Sequence, residues 1–312
     1  MLRVGIPDLI SPSYFPVIAA AELGFLAEEG VPATVELVYP VPTTFHQLAE
    51  GALDLAVGAA HAPLYAFGDW QGCRLLGALS QHMYWFLVLR SDLGIGRGDL
   101  AALRGLRIGA APGPVDGLRR LLIEAGIDPE TDLELCAVPG TSDGSVSFGV
   151  TAAEALRTGA LDGFWANGMG AEVAVSEGTG TVALDARRGD GPPGAADYTF
   201  AALVATERRV RDEPEQLAAV LRAIARTHAA LTADPGRAAE AARPRFPAHE
   251  TSLITQVIAR DLPFYQTAIA PGTVSSLNRF AHWLGLLSVD DVAYEEVVAT
   301  DLAGAWTWPA ES

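Results

Sequence analysis

Hydroxyl and aromatic side chains follow the first apolar run of the chain, at residues 2–7. The group consists of Ser11, Ser13, Tyr14 and Phe15. The run predicts a buried strand, the Ser- and Pro-rich stretch predicts a loop, and residues 17–30 show helical spacing. Such a loop lies at the carboxyl edge of a sheet, where open α/β sheets bind ligands. The hydroxyls and the N–H groups of the helix start would donate hydrogen bonds there, and the two rings would form an apolar wall.

Other polar side chains fall at comparable points along the first part of the chain. Thr43 and Thr44 can cap the next predicted helix or donate hydroxyls to an anionic head group, and the two roles are compatible. His61 ends a predicted strand in a loop of small residues, so it is a candidate ligand contact. His82 and Trp85 lie by a longer apolar strand that could cross into a second domain. Trp85 is a further candidate for binding a ligand.

A second set of candidates mirrors the first from the middle of the chain. Gly113 allows close approach of the backbone to a ligand, beside a helix start. Asp116 either favours the dipole of its own helix or, if it points into a cleft, selects an amine or a hydroxyl-rich ligand. Trp165 and Asn167 lie at the end of another predicted strand. A Trp in a strand is usually core, but this one leads into a loop, which favours ligand stacking with a hydrogen bond from the Asn.

Composition excludes several classes of chemistry. All 21 basic residues of the 312 are Arg, so a lysine Schiff base and a P-loop lysine are both impossible. The formal net charge of -17 argues against nucleic acid and anionic membranes as partners. The two cysteines, Cys73 and Cys136, stand far apart, and no HExxH pattern occurs, so we predict no metal and no cofactor.

The elements that must position these residues alternate between strand and helix, with a helical C-terminal part. Residues 51–58 and 159–166 resemble each other: each begins with Gly-Ala-Leu-Asp after a predicted helix and continues as a strand into a loop of small residues. This internal similarity predicts two similarly built α/β lobes. Residues 189–194, which are rich in Gly and Pro, are the clearest predicted linker.

These motifs, in this order, resemble the type II periplasmic-binding-protein family, in the branch that binds alkanesulfonates and thiamine pyrimidine precursors for ABC transporters. The resemblance rests on residues 11–17, 21–26, 29–31, 48–56, 105–109, Gly113, Gly117, 262–265 and 283–287. It covers nearly the whole chain, and it is more specific to the fold than to the ligand.

The resemblance implies two Rossmann-like lobes joined by two crossing strands, with a ligand in the cleft and hinge closure around it. Lobe one would comprise residues 1–88 with the helical residues 200–312, and lobe two residues 91–195. The implied function is a solute-binding protein that passes a small organic ligand to the permease of an ABC-type importer. Together with the candidate residues, this favours an aromatic or heterocyclic ligand with an anionic or polar end, and no insertion into the membrane.

An enzyme on the same fold is the alternative, with lyase, decarboxylase or thiamine-precursor chemistry and His61 or His82 as acid and base. The iron motif of the family member that makes the thiamine pyrimidine is absent, and its lysine chemistry is impossible here. A cytoplasmic sensor that only binds is a third interpretation. The compartment stays open, because no signal peptide is visible: the protein is periplasmic or on the cell surface if a leader was removed, and cytoplasmic if Met1 is the native start.

Overall fold

Ten strands form two five-stranded sheets in the computed structural model, which describes residues 1–141 and 147–308. The strands are β1 (Leu2–Ile6), β2 (Ala33–Leu37), β3 (Leu55–Ala59), β4 (Cys73–Ser80), β5 (Phe86–Arg90), β6 (Arg107–Ala110), β7 (Glu134–Cys136), β8 (Gly163–Ala166), β9 (Gly180–Asp185) and β10 (Ala201–Thr206).

Twelve α-helices accompany the strands within the described residues. They are α1 (Phe15–Glu22), α2 (Phe25–Glu28), α3 (Val41–Ala49), α4 (Pro114–Glu124), α5 (Phe148–Arg157), α6 (Gly168–Ser176), α7 (Glu207–Asp212), α8 (Pro214–Ala233), α9 (Arg237–Ala242), α10 (Ala248–Asp261), α11 (Pro271–Trp283) and α12 (Tyr294–Val297). Short 3₁₀ turns occur between several of them.

The chain divides into two units with one sheet each. Residues 1–81 and 199–308 form the first unit, and residues 82–198 form the second. The chain passes from the first unit to the second after Gln81 and returns after Tyr198. The sequence placed its boundaries at 88/91 and 195/200; the difference at the first one arises because β5 pairs with β8 and β9 of the second unit.

The two sheets have the same topology. The first has the strand order β2-β1-β3-β10-β4, and the second has β7-β6-β8-β5-β9. In each sheet the fourth strand is antiparallel to its two neighbours and arrives directly after the chain has left the other unit. The remaining pairings are parallel. Four strands of each sheet therefore end at one edge, which we call its carboxyl edge.

The repeated Gly-Ala-Leu-Asp motif has the same role in both units. Asp54 donates its amide to the carbonyl of Arg3 at 2.9 Å and accepts the Arg3 amide on its carboxylate at 2.7 Å. Asp162 makes the same two bonds with Arg107, at 3.0 Å each. The motif thus ties the start of β3 to β1 and the start of β8 to β6, which confirms the predicted internal similarity.

A glycine on the strand that the motif bonds to, β1 or β6, makes room for the motif leucine. A Cβ atom at Gly5 would lie 2.3 Å from Leu53 Cδ1, and one at Gly109 would lie 2.6 Å from Leu161 Cδ1. Both leucines are buried. Each sheet therefore packs one leucine side chain against bare backbone, where any larger residue would overlap with it.

We expect Gly5→Ala to lower the free energy of unfolding by about 1–3 kcal/mol, because the added methyl group overpacks the site of the Leu53 side chain. Urea denaturation would measure the change. Gly68→Ala is the matched control, since no atom lies within 4 Å of the corresponding Cβ position. Equal stability of the two variants would contradict this account of the Gly5–Leu53 contact.

Two local predictions differ from the structure. The sequence of residues 100–106 predicts a short helix, whereas the structure has a 3₁₀ turn at Leu100–Leu103, followed by Gly105 with φ of +80°. The predicted linker, residues 189–194, is a loop inside the second unit, where Asp190 accepts the backbone amide of Asp185 at 2.8 Å. A loop rich in Gly and Pro signals a break in regular structure, but not a boundary between units.

Candidate functional site

The loop after β1 is folded on itself by short-range hydrogen bonds. Asp8 accepts the amide of Ile10 at 2.8 Å. The amide of Tyr14 donates to the carbonyl of Ser11 at 3.2 Å, and the amide of Phe15 donates to that of Pro12 at 3.3 Å. The expectation that the start of α1 offers free N–H donors is therefore wrong at these two residues. Their amides close the turn that leads into the helix.

The two serine hydroxyls of this loop are buried, and within residues 1–141 and 147–308 no group bonds to them. Ser11 is 1% exposed and Ser13 is fully buried, and neither Oγ atom has a hydrogen-bond partner among the described residues. Ser80, at the end of β4, is in the same condition. A buried hydroxyl without a partner costs about 1–3 kcal/mol, so three of them at one carboxyl edge leave hydrogen bonds to be made.

The aromatic residues of the same loop are part of the core. Tyr14 is 3% exposed, and Phe15 is fully buried with its ring edge-on to Phe246, the centroids 5.9 Å apart. Phe15 is also the first residue of α1. The predicted role of both residues as a ligand wall stays a prediction, and their packing fixes the position of the serines beside them.

A residue of the C-terminal part of the chain bonds to this loop, in a contact that sequence reasoning missed. The Tyr265 hydroxyl donates to the carbonyl of Pro12. Residues beside Tyr265 run along the end of β4: the Gln81 amide donates to Phe264 O, and the Ala78 amide to Thr267 O, both at 2.8 Å. Tyr265 thereby connects the loop after β1 with the end of β4, where Ser80 lies.

Thr43 and Thr44 do not cap a helix. α3 begins at Val41 with Pro40 as its N-cap, so both threonines lie in the first turn. The predicted capping role is therefore wrong, because the prolines at 40 and 42 start the helix earlier. The Thr44 hydroxyl is buried and donates to Val38 O at 2.6 Å, whereas Thr43 is half-buried.

His61 lies at the carboxyl edge of the first sheet, as its position after β3 predicted. Its side chain is fully buried, and Nδ1 lies 3.0 Å from the hydroxyl oxygen of Thr199, just before β10. The Phe280 ring packs edge-on against the imidazole, with centroids 5.1 Å apart. These contacts hold the ring in one orientation, which suits either a hydrogen bond to a ligand or proton transfer.

A second histidine of the first unit was not foreseen. His228 on α8 packs its ring 5.3 Å from that of Tyr265, and its Nδ1 lies 3.3 Å from the Thr267 hydroxyl. Burial lowers the pKa of His228 to about 4, although a hydrogen bond with the backbone of Leu79 acts in the opposite sense. The imidazole is therefore neutral at pH 7.

The tryptophans of the second unit pack together. Trp85 and Trp165 have ring centroids 6.2 Å apart, and the Trp165 indole donates to Pro114 O at 3.0 Å. Both residues are buried. Gly117 makes room for them, because a Cβ there would lie 3.3 Å from Trp85 Cζ3 and 2.8 Å from the Met83 sulfur. Ligand stacking on these rings stays a prediction.

The other candidates of the second unit lie at two helix starts. Gly113 is the N-cap of α4 with φ of +91°, and Asp116 lies half-buried in the first turn of that helix. Asn167 caps α6: its Oδ1 accepts the amides of Met169 at 3.0 Å and Gly170 at 3.2 Å. The Asn167 side chain thus has a structural role that its position after a strand did not reveal.

His82 and Arg187, both in the second unit, differ in the burial of their side chains. His82 Nδ1 lies 2.9 Å from Asp197 Oδ1, and both side chains are nearly half exposed. The Arg187 side chain is fully buried, 3.4 Å from Asp185 and over the Phe86 ring at 4.9 Å. Sequence reasoning missed Arg187 because two arginines after a strand resemble an exposed turn.

The two cysteine thiols differ in burial: Cys73 is buried and Cys136 is half-buried. Burial raises the pKa of the Cys73 thiol to about 12, with Arg74 acting against that shift, and burial also raises the pKa of Cys136. Both thiols are therefore protonated at pH 7. Within residues 1–141 and 147–308, no group of three or more His, Cys, Asp or Glu is arranged to hold a metal ion.

None of the helices in those ranges is both long and apolar enough to span a membrane.

Comparison with known proteins gives a family match and many structural matches. A family model described as NMT1/THI5 like matches residues 11–238. The alkanesulfonate-binding protein SsuA from Xanthomonas axonopodis pv. citri, solved bound to MOPS, has a TM-score of 0.71 at 14% identity, covering 95% of this chain and 97% of that one. The periplasmic nitrate-binding protein NrtA from Synechocystis PCC 6803 has a TM-score of 0.69 at 16% identity, covering 97% and 87%.

An enzyme occurs among the structural matches as well. The desulfurization enzyme DSZB has a TM-score of 0.65 at 15% identity, with 98% of this chain and 99% of that one covered. No curated protein matches the chain. At these identities the likenesses show the fold, and they confirm the predicted class: two α/β units in the type II periplasmic-binding-protein fold.

Proposed function

The chain belongs to the NMT1/THI5-like family. From this membership, and from the buried serine hydroxyls that have no partner in the described part of the chain, we propose that it is the solute-binding component of an ABC-type importer. It binds a small, polar organic molecule reversibly and passes it unchanged to a membrane permease. The structural matches that are named as binding proteins for alkanesulfonate and nitrate support this role.

The observation that carries the proposal is the state of Ser11 and Ser13. Their hydroxyls are buried and without partners among the described residues, at the edge of a sheet where α/β proteins bind ligands. A bound molecule that hydrogen-bonds to both serines would remove the cost of leaving them unpaired. The other residues that the sequence singled out remain predicted ligand contacts of their own units: Tyr14, Phe15, Thr43, Thr44 and His61 in the first, and Trp85, Gly113, Asp116, Trp165 and Asn167 in the second.

Native mass spectrometry of the purified protein tests this proposal, because a binding protein often retains its ligand. We expect a small-molecule adduct on the wild-type chain that is lost, or weakened at least tenfold, in the Ser11→Ala/Ser13→Ala variant. Stability should be unchanged or slightly higher, since the variant removes two unsatisfied hydroxyls. Ser176→Ala is the control, because that exposed serine hydroxyl donates to Val173 O at 3.0 Å.

Two outcomes of this experiment would contradict the proposal. Retention of the adduct in the double serine variant would remove both residues from the site. A preparation that carries no small molecule, and that binds none released from a cell extract, would count against a binding function altogether.

A second candidate is an enzyme, favoured by the likeness to DSZB and by the fixed orientation of His61. His61 would then act as acid or base, with Thr199 holding its ring. His82 fits this role less well, because its side chain is nearly half exposed and its Nδ1 lies 2.9 Å from the carboxylate of Asp197. Incubation of the protein with its released ligand separates the two functions: conversion to a product that is lost in His61→Gln would support the enzyme, and recovery of the same molecule supports the binder.

A further inference from the structure

Pro12, which stands between the two buried serines, determines how far apart they are. The peptide units on either side of Pro12 are planar, so the distance between the Cα atoms of Ser11 and Ser13 depends on φ and ψ of Pro12 alone. The proline ring holds φ at about −65°. The remaining variable is ψ, which is the direction in which the Pro12 carbonyl points. A contact that holds this carbonyl therefore also sets the spacing of the two serines.

The Pro12 carbonyl accepts hydrogen bonds from two directions. One comes from the amide of Phe15 inside the loop, at 3.3 Å, which is long for an N–H···O bond. The other comes from the hydroxyl of Tyr265, which belongs to the C-terminal part of the chain. The Tyr265 side chain is buried, so water has little access to replace its hydroxyl. The direction of the carbonyl thus depends on a donor outside the loop.

Tyr265 is itself held in place by its surroundings. The Gln81 side-chain amide, just after β4, donates to the carbonyls of Gln266 at 3.1 Å and Ala268 at 2.8 Å, so the backbone beside Tyr265 is fixed to the end of that strand. The ring of His228 on α8 packs against the Tyr265 ring, with centroids 5.3 Å apart. The backbone and the ring of Tyr265 are therefore both anchored, and its hydroxyl has a defined position.

We propose that Tyr265 is a positioning residue for ligand binding: it holds the Pro12 carbonyl and thereby keeps Ser11 and Ser13 at the spacing that lets both hydroxyls bond to the same molecule. This inference rests on the proposed binding function. Two simultaneous hydrogen bonds require both hydroxyls in place at once. A loop that must be ordered during binding gives a lower affinity than one ordered beforehand.

Tyr265→Phe tests the role of the hydroxyl, because the substitution removes the donor and keeps the ring against His228. Tyr294→Phe is the matched control. The Tyr294 hydroxyl donates to the carbonyl of Ile269 at 2.6 Å, four residues further along the segment that carries Tyr265. Both variants thus lose a bond from a tyrosine hydroxyl to a backbone carbonyl, but only the first loses one to the serine loop.

Hydrogen exchange of the Tyr14 and Phe15 amides, which close the turn of the loop, measures its order without any ligand. In protein dialysed free of small molecules and followed by NMR, we expect exchange to be about two- to tenfold faster in Tyr265→Phe, the range that one hydrogen bond gives. Tyr294→Phe should exchange as the wild type does. Wild-type exchange rates in Tyr265→Phe would show that the loop holds itself, and would overturn the inference.

Binding is measured by calorimetry with the small molecule that heat releases from the wild-type protein, identified by its mass. We expect Tyr265→Phe to raise its Kd about three- to tenfold and Tyr294→Phe to leave it unchanged. In a Ser13→Ala background one serine hydroxyl remains, so their spacing no longer matters, and adding Tyr265→Phe should change the Kd by less than about twofold. A merely structural role for Tyr265 would give the same loss in both backgrounds.

Three binding results would overturn the inference while leaving the binding function intact. They are a wild-type Kd in Tyr265→Phe, equal losses of affinity in Tyr265→Phe and Tyr294→Phe, and an undiminished effect of Tyr265→Phe in the Ser13→Ala background. Failure of the binding function has a different signature, in which no molecule is released or rebound. The role of Tyr265 in binding then falls with it, whatever the exchange rates of the loop.

Discussion

Trp165→Ala is expected to lower the free energy of unfolding by about 3–5 kcal/mol, the largest effect of any single substitution considered for this chain. Trp165 is fully buried on β8, its ring packs against Trp85, and its indole N–H bonds to Pro114 O at 3.0 Å. Truncation leaves a cavity in the second unit and a carbonyl without its donor. Chemical denaturation followed by far-UV circular dichroism would measure the loss.

Trp283→Ala provides the comparison, since that ring is 37% exposed and stacks on the Phe280 ring with the centroids 6.2 Å apart. We expect it to cost about 1 kcal/mol or less. If the two variants unfolded at the same denaturant concentration, the packing role of Trp165 would be refuted.

This expectation changes how ligand stacking on Trp165 must be tested. The position of Trp165 after a strand led us to expect a surface for the ligand, and on that basis alone Trp165→Ala would leave the fold intact. The burial of the ring shows that loss of binding in the alanine variant could follow from loss of structure. Trp165→Phe keeps an aromatic ring in place, so reduced ligand affinity at preserved stability would identify a ligand contact.

The repeated architecture was accessible from sequence because its signal is local. Gly-Ala-Leu-Asp occurs twice, and in each unit its aspartate bonds to the neighbouring strand, β1 or β6. The need for Gly5 and Gly109 opposite the two motif leucines is a contact between distant segments, so no pattern within either segment could reveal it. The position of the serine loop followed from the same local reasoning, since a loop after a parallel strand lies at the carboxyl edge.

The partners of individual polar groups were not accessible in this way. Thr43 and Thr44 have the residue type of helix caps, but Pro40 occupies that position, and only the helix boundary decides between them. The bond from Tyr265 to Pro12 joins residues 253 positions apart. Whether a hydroxyl is satisfied, as that of Thr44 is and those of Ser11 and Ser13 are not, depends on the whole packed environment.

Acidification is expected to destabilise the first unit through His228. Its pKa is lowered by burial from 6.5 to about 4, so the unfolded chain binds a proton between these pH values and the folded chain does not. Stability from this group is therefore complete above pH 6.5 and is lost as the pH falls toward 4. The shift corresponds to a loss on the order of 3 kcal/mol over that interval.

Asp and Glu side chains have reference pKa values near 4, so the contribution of His228 must be taken as a difference between variants. His228→Gln keeps a neutral amide near Thr267 and cannot be protonated, so its stability should fall less steeply than that of the wild type between pH 6.5 and 4.5. His249→Gln, at an exposed position on α10, should follow the wild-type curve. Parallel stability curves for the wild type and His228→Gln would contradict this prediction. They would mean that the His228 imidazole gains a proton at no cost in stability although it is buried between Tyr265 and Thr267.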